Sequence, residues 1–228
     1  PGADVDSMAA GGTAKLAGAA SAAVKDTAKI KEKPAVKDTS RVGFLSAIKD
    51  VKIFRSDIQA SCDALVFNEL DSIGRRYKEP VVWSDSLRQY SSDSLFVLVK
   101  KNGIDRASLM SDAFIAIKEN KICFDQIKSA EVMAYFDSTA ALRRFDALGG
   151  ADALFFLKEK DTLATVNKVQ SQMLSALLKK GDLDKVYYFE SPKNDAYPVA
   201  QLSSEEQHLK GFSWQPGRRP GKKTDVTT

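Results

Sequence analysis

The sequence predicts an α+β fold: a bent antiparallel sheet or partly open barrel, capped by a C-terminal amphipathic helix and joined by a further helix near the N-terminus. Three observations carry that expectation. Short apolar runs of strand length recur through the middle of the chain, at 95–99, 113–117 and 153–157. Tight polar connections such as Lys101-Asn102-Gly103 and Glu119-Asn120-Lys121 separate them. Two longer stretches instead space their apolar residues three and four apart, as a helix with one buried face does.

Taken in order, Pro1 to Ser7 reads as a cloning remnant ahead of Met8, and residues 8–40 are Ala, Gly, Lys and Thr with few large apolar side chains. An isolated helix there would bury too little to be stable, so 1–40 is expected to be a flexible linker. Folding opens near Arg41 with two strand-like pieces, Val42-Gly43-Phe44-Leu45 and Val51-Lys52-Ile53-Phe54. Ser56 or Asp57 then caps a helix whose face is Ile58, Cys62, Leu65, Val66, Glu69, Leu70 and Ile73, ending at Gly74 with Arg75 and Arg76 beyond. Pro80 to Trp83 is extended, and 84–90 is a turn or helical turn. The strand at 95–99 follows, then 113–117, which pairs with 122–124 as a hairpin, then 130–135. Residues 138–146 are mixed, and Gly149-Gly150 marks a loop.

After the strand at 153–157, Asp161 is read as the cap of a long helix whose apolar face is Leu163, Val166, Val169, Met173, Leu174, Leu177 and Leu178. Leu154 and Phe156 are its expected strand partners, and Lys179, Lys180 and Gly181 close it. A short strand at 186–189 ends the folded part. Past Leu209 the chain is rich in Gly, Pro, Arg, Lys and Thr, which predicts disorder. The expected organisation is a linker over 1–40, one α+β domain over 41–207, and a disordered basic tail over 208–228.

Composition narrows the chemistry. With 43% hydrophobic and 28% charged residues the chain is globular in type. No run approaches the roughly 20 apolar residues of a membrane-spanning helix. The net charge of +4 is carried by the tail, where Lys210, Arg218, Arg219, Lys222 and Lys223 face only Asp225. The rest is near neutral, which argues against a specific nucleic-acid groove. Arg218, Arg219, Lys222 and Lys223 are therefore the candidate contacts for a polyanion or anionic surface, in a weak and salt-sensitive way. Cys62 and Cys123 are too few for a zinc site, and they stand as buried thiols or as a disulfide. His208 is the only histidine and lies in a polar stretch. Glu205-Glu206 reads as a solvated pair, Trp83 and Trp214 form no stacking series, and the glycine pairs lack a phosphate-loop context. No catalytic, cofactor or metal site is expected.

One further pattern spans residues 92–178. A strand is followed by Ser111-Asp112-Ala113-Phe114 and a hairpin, then by Phe124-Asp125-Gln126-Ile127-Lys128-Ser129-Ala130-Glu131-Val132, a Gly-containing loop, a strand and a long amphipathic stretch. This resembles the bacterial pleckstrin-homology-like proteins. The resemblance implies a bent barrel closed by one helix, with adapter or assembly roles and no catalysis. The function expected is a noncatalytic binding or scaffolding module with a protein partner and no cofactor, located in the cytoplasm. Two alternatives stand beside it. One is a structural component of an envelope or secretion assembly, tethered through residues 8–40 after removal of a leader. The other is an enzyme with a site built from scattered Asp, Glu, Ser and Arg.

Overall fold

A computed structural model describes residues 42–101, 103–139, 141–179 and 182–226. The linker expected over 1–40 lies outside the described residues. Those described form a single antiparallel sheet of twelve strands: β1 (Phe44–Phe54), β2 (Ile58–Asn68), β3 (Ile73–Tyr77), β4 (Val81–Ser84), β5 (Arg88–Ser91), β6 (Ser94–Lys100), β7 (Gly103–Lys118), β8 (Phe124–Phe136), β9 (Leu142–Glu159), β10 (Thr162–Lys179), β11 (Asp182–Phe189) and β12 (Lys193–Pro198). Three short 3₁₀ turns, at Val199–Gln201, Pro216–Arg218 and Lys223–Val226, are the helical elements among them.

The short strands share positions in the sheet. β3 and β4 pair with successive parts of β2, β6 and β5 with successive parts of β7, and β11 and β12 with successive parts of β10. The register between neighbouring positions shifts at one common level, so a crease crosses the sheet. On alternate positions the break is a two-residue insertion with positive φ: Lys49 and Asp50, Lys78 and Glu79, Ser111 and Asp112, Gly149 and Gly150, Glu190 and Ser191. The neighbouring strand crosses with one residue fewer. Ile48 pairs with Ala64 and Val51 with Cys62, so two residues of β1 oppose one of β2. The same count holds where β7 meets β8, β8 meets β9 and β9 meets β10. Bulges of this kind bend a strand and raise its twist. Repeated across the sheet, they fold it into two leaves.

The leaves pack face to face. From one come Ile115, Ile127, Ala153 and Val169, and from the other Leu95, Val97, Leu109, Phe145 and Leu174, all within one buried cluster. A second, smaller cluster of Cys123, Leu154, Phe156 and Val166 lies on the outside of the first leaf, where Leu163, Val199, Leu202 and Leu209 cover it. That leaf is thus buried on both sides, which explains its strong apolar content.

The α+β expectation is overturned, and with it the helix-capped barrel that the pleckstrin-homology-like resemblance implied. Of the stretch from 161 to 180, expected as the capping helix, Thr162–Lys179 is the strand β10, and Lys160 and Asp161, both with positive φ, form its two-residue hairpin turn with β9, while the expected closing residues Lys180 and Gly181 lie outside the described residues. The N-terminal helix expected from Ile58 to Ile73 is β2 and the start of β3. Gly149-Gly150, expected as a loop, is the crease of β9. The stretch 138–146, expected as mixed, enters β9 from Leu142 onward. The strands expected at 95–99, 113–117, 153–157 and 186–189 lie inside β6, β7, β9 and β11. The piece 122–124, expected as the hairpin partner of 113–117, is mostly the connection before β8, and 113–117 pairs instead with 125–129; the piece 130–135 lies in the same strand β8, and the two N-terminal pieces meet in β1. The tail expected to be disordered is described as far as Val226 and lies against the sheet.

Candidate functional site

Between the leaves, towards β1, the packing opens into an apolar slot of about 270 Å³. Ile53, Ile58, Leu95, Val97, Ile104 and Phe136 are among its walls. The slot is slightly smaller than the roughly 300–1,000 Å³ typical of small-molecule sites and has their apolar character. Arg76, on β3, also lines it. Its Nε and Nη1 are buried without a hydrogen-bond partner, and burial pulls its guanidinium pKa below the ordinary value. Asp57, at the rim, is paired instead with Arg55, whose Nε donates to Oδ1 at 2.6 Å.

The sheet is open at both ends. Among the described residues β1 is paired on one side only, by β2, with the turn Lys223–Val226 also packed against it, and Phe44 (66% exposed), Leu45 (53%) and Ile48 (78%) stand out from it. At the other end Tyr187 and Phe189 of β11 and Tyr197 of β12 are also exposed.

The segment after β12 crosses the outside of the first leaf as a strap. Three glutamines hold it, at matching places on every second strand position: Gln59 on β2, Gln89 on β5 and Gln126 on β8, each nearly fully buried. Gln126 Nε2 donates to the Gln207 carbonyl at 2.9 Å, and the Leu209 amide donates to its Oε1 at 2.8 Å. Gln89 does the same with the Ser213 carbonyl (2.6 Å) and the Gln215 amide (2.8 Å), and its oxygen also accepts from buried Trp83 Nε1 at 3.2 Å. Gln59 Oε1 accepts from Arg219 Nε at 2.7 Å. Between these ties Phe212 and Trp214 pack on Phe124, each with ring centroids 5.1 Å apart. A buried amide has both a donor and an acceptor to satisfy; Gln89 and Gln126 satisfy both on the backbone of the strap, and Gln59 meets the strap through the Arg219 side chain.

The sequence-level candidates scatter. Arg218 and Arg219 are half-buried ties of the strap: Arg218 donates to Gln215 Oε1 (3.0 Å) and to the Glu79 carbonyl (3.2 Å). Lys222 and Lys223 are exposed, so the structure does not gather the four into one patch. Cys62 and Cys123 are buried and free. His208 stacks on Phe212 at 4.3 Å, with Nδ1 2.7 Å from the Ser204 carbonyl. Sequence reasoning placed Arg76 with Arg75 as cations at a helix end, and it missed the glutamines. The Gln-x-x-Ser/Cys spacing of Gln59 to Cys62, Gln89 to Ser92 and Gln126 to Ser129 was the signal available.

Asp125 is a second group that burial perturbs, its carboxyl pushed up to about 7. Among the described residues no three His, Cys, Asp or Glu side chains group as metal ligands, and no helix is long and apolar enough to cross a membrane.

No family model matches the chain, and no curated protein matches it. Among solved structures it is similar to LptH of Pseudomonas aeruginosa, described as the LptA-homologous periplasmic component of the conserved lipopolysaccharide transport device. Identity is 11% and the TM-score 0.45, over 61% of this chain and 93% of that one. At that likeness neither fold nor function passes from one protein to the other.

Proposed function

We propose that this chain is a noncatalytic binding module, a structural component of an envelope assembly that joins its neighbours through the open edges of its sheet. The observation that carries this reading is β1. An eleven-residue edge strand with Phe44, Leu45 and Ile48 exposed is a template for strand addition and an aggregation hazard if left bare. Of the two compartments considered from the sequence, the envelope is adopted, because the slot between the leaves suits a ligand of membrane origin. Contact with an anionic surface falls in this reading to exposed Lys222, since Arg218 and Arg219 are engaged in the strap. The test has two parts: fractionation of the native protein, and a photo-crosslinking residue at position 44 or 48. The expected result is an envelope-associated protein that crosslinks to one partner from either position. A protein found wholly in the cytoplasmic fraction, with no adduct from either position, would sink the proposal.

A second reading is favoured by the slot itself. An apolar cavity lined by an arginine with two buried, unpaired nitrogens suits an amphiphile that places its alkyl chain among Leu95, Val97 and Ile104 and an acidic group on Arg76. Titration with a fluorescent fatty acid and with its neutral alcohol should show a preference for the acid. Equal affinity for the two, or none, would remove this reading.

A further inference from the structure

Both edges of the sheet are strands of the same kind, and this restricts what can complete them. The bulged positions are β1, β3 with β4, β7, β9, and β11 with β12; the unbulged ones between them are β2, β6 with β5, β8 and β10. On three of the unbulged positions a hydroxyl beside the crease folds back across it to its own backbone. Ser92 Oγ donates to the Ser94 carbonyl at 2.8 Å, Ser129 Oγ to that of Glu131 at 2.8 Å, and Ser171 Oγ to that of Met173 at 3.0 Å. On β2 buried Cys62 holds the equivalent place.

The alternation has a physical cause. A left-handed residue pair turns its amide and carbonyl groups out of the ladder, and a neighbour without the insertion closes the gap. Two bulged strands side by side would turn both sets away at one level and leave them unpaired. Each neighbouring pair in this sheet therefore joins one strand of each kind, always antiparallel. The number of positions is odd, so both edges are bulged and run the same way. Stacking two copies head to tail would set β11 and β12 parallel to β1 with bulge against bulge. A two-fold pairing of β1 with a second β1 over its full length would be antiparallel but would still oppose two bulges, because Lys49 and Asp50 lie at the middle of the strand.

We infer that the open edge of β1 is completed by an unbulged strand of a partner, not by a second copy of this chain. That strand runs antiparallel to β1, alternates apolar residues, and carries a small hydroxyl or thiol side chain at the level of Lys49 and Asp50. The inference rests on the edge-assembly reading and narrows its partner.

The test uses the full chain and two fluorescent peptides. One copies β2, Ile58–Asn68, the unbulged strand that β1 already accepts on its other side. The other is identical except that a glycine pair replaces Asp63, making it bulged. By fluorescence anisotropy the unbulged peptide should bind at least about tenfold more tightly. Ile48→Asp should weaken it, and the chain alone should sediment as a monomer at the same concentrations. Equal affinity for the two peptides would overturn the inference and leave edge assembly standing. Self-association abolished by Ile48→Asp would overturn it in favour of a second copy. Binding of neither peptide would remove the inference together with the edge reading.

Discussion

Asp125 and Arg76 are ionisable groups that the fold takes out of water without an ion-pair partner close enough to offset the cost. The Phe156 amide donates to Asp125 Oδ1 at 2.7 Å and favours the carboxylate, but burial outweighs it and holds the folded pKa at about 7. An unfolded Asp ionises near pH 3.9, so between about pH 4 and 7 the unfolded chain sheds a proton that the folded chain keeps. This contribution is complete below about pH 4 and is lost as pH rises through 7. Asp125→Asn retains an acceptor for Phe156. It should match the parent near pH 4 and be more stable at pH 8, by on the order of 2–4 kcal/mol in urea unfolding. Parallel pH profiles for the two proteins would clear Asp125 as the cause. At Arg76 the expectation is similar in kind: Arg76→Met should raise the melting temperature, because it removes buried donors that have no partner. It should also abolish any preference of the slot for an acidic amphiphile. A destabilised Arg76→Met would show that the guanidinium is satisfied by water or a ligand.

At the scale of elements the crease decides most of what happens. Residues with positive φ are costly for side chains other than glycine, and β9 is the position that uses Gly at both places. A Cβ on Gly149 would come within 2.8 Å of the Ala130 Cβ, whereas one on Gly150 meets nothing within 4 Å. Gly150→Ala should therefore cost backbone strain alone, about 1 kcal/mol, and Gly149→Ala clearly more. Equal losses in denaturant unfolding would mean that β8 and β9 can part at the crease without cost. The crease also explains the two misread helices. Along β2 the inward residues run Ile58, Ala60, Cys62, then Leu65, and the step of three across Asp63 imitates a helical turn. Along β10, irregularities between Leu163 and Thr165 and between Ser171 and Met173 shift the alternation twice. Val166 is buried outside and Val169 inside, so one strand with two buried faces mimics a single helical stripe. The partnership expected of Leu154 and Phe156 with this stretch is present, through Val166 and Leu163, as strand pairing and outer-face packing.

At the scale of the molecule the strap makes the first leaf a buried layer. Its hydrogen bonds to Gln59, Gln89 and Gln126 are spaced along residues 207–219 as the glutamines are spaced across the sheet. Gln126→Leu would leave the Gln207 carbonyl and the Leu209 amide without their partner, at a cost of about 1–3 kcal/mol. It should also open the strap to protease before the sheet unfolds, with a change in emission from Trp214, which packs on Phe124. A strap that stays protected in this variant would locate its anchor in Phe212 and Trp214 rather than in the amides.

By itself the sequence determined where apolar strands recur, that the two cysteines stand far apart with a single histidine, and that positive charge gathers after Lys210. Those are local quantities, set by residue type and spacing. Tertiary structure decided the rest. Whether a stripe at spacing three and four is a helix or a creased strand depends on neighbours that bury both of its faces, and period alone does not count faces. Whether a Gly/Pro-rich basic tail is ordered depends on buried acceptors elsewhere, and three glutamines up to 160 residues away in the chain supply its partners. In the sequence Arg76 is one of two cations at an expected helix end, and it becomes a candidate site only because the fold closes two leaves over it and leaves Nε and Nη1 unpaired.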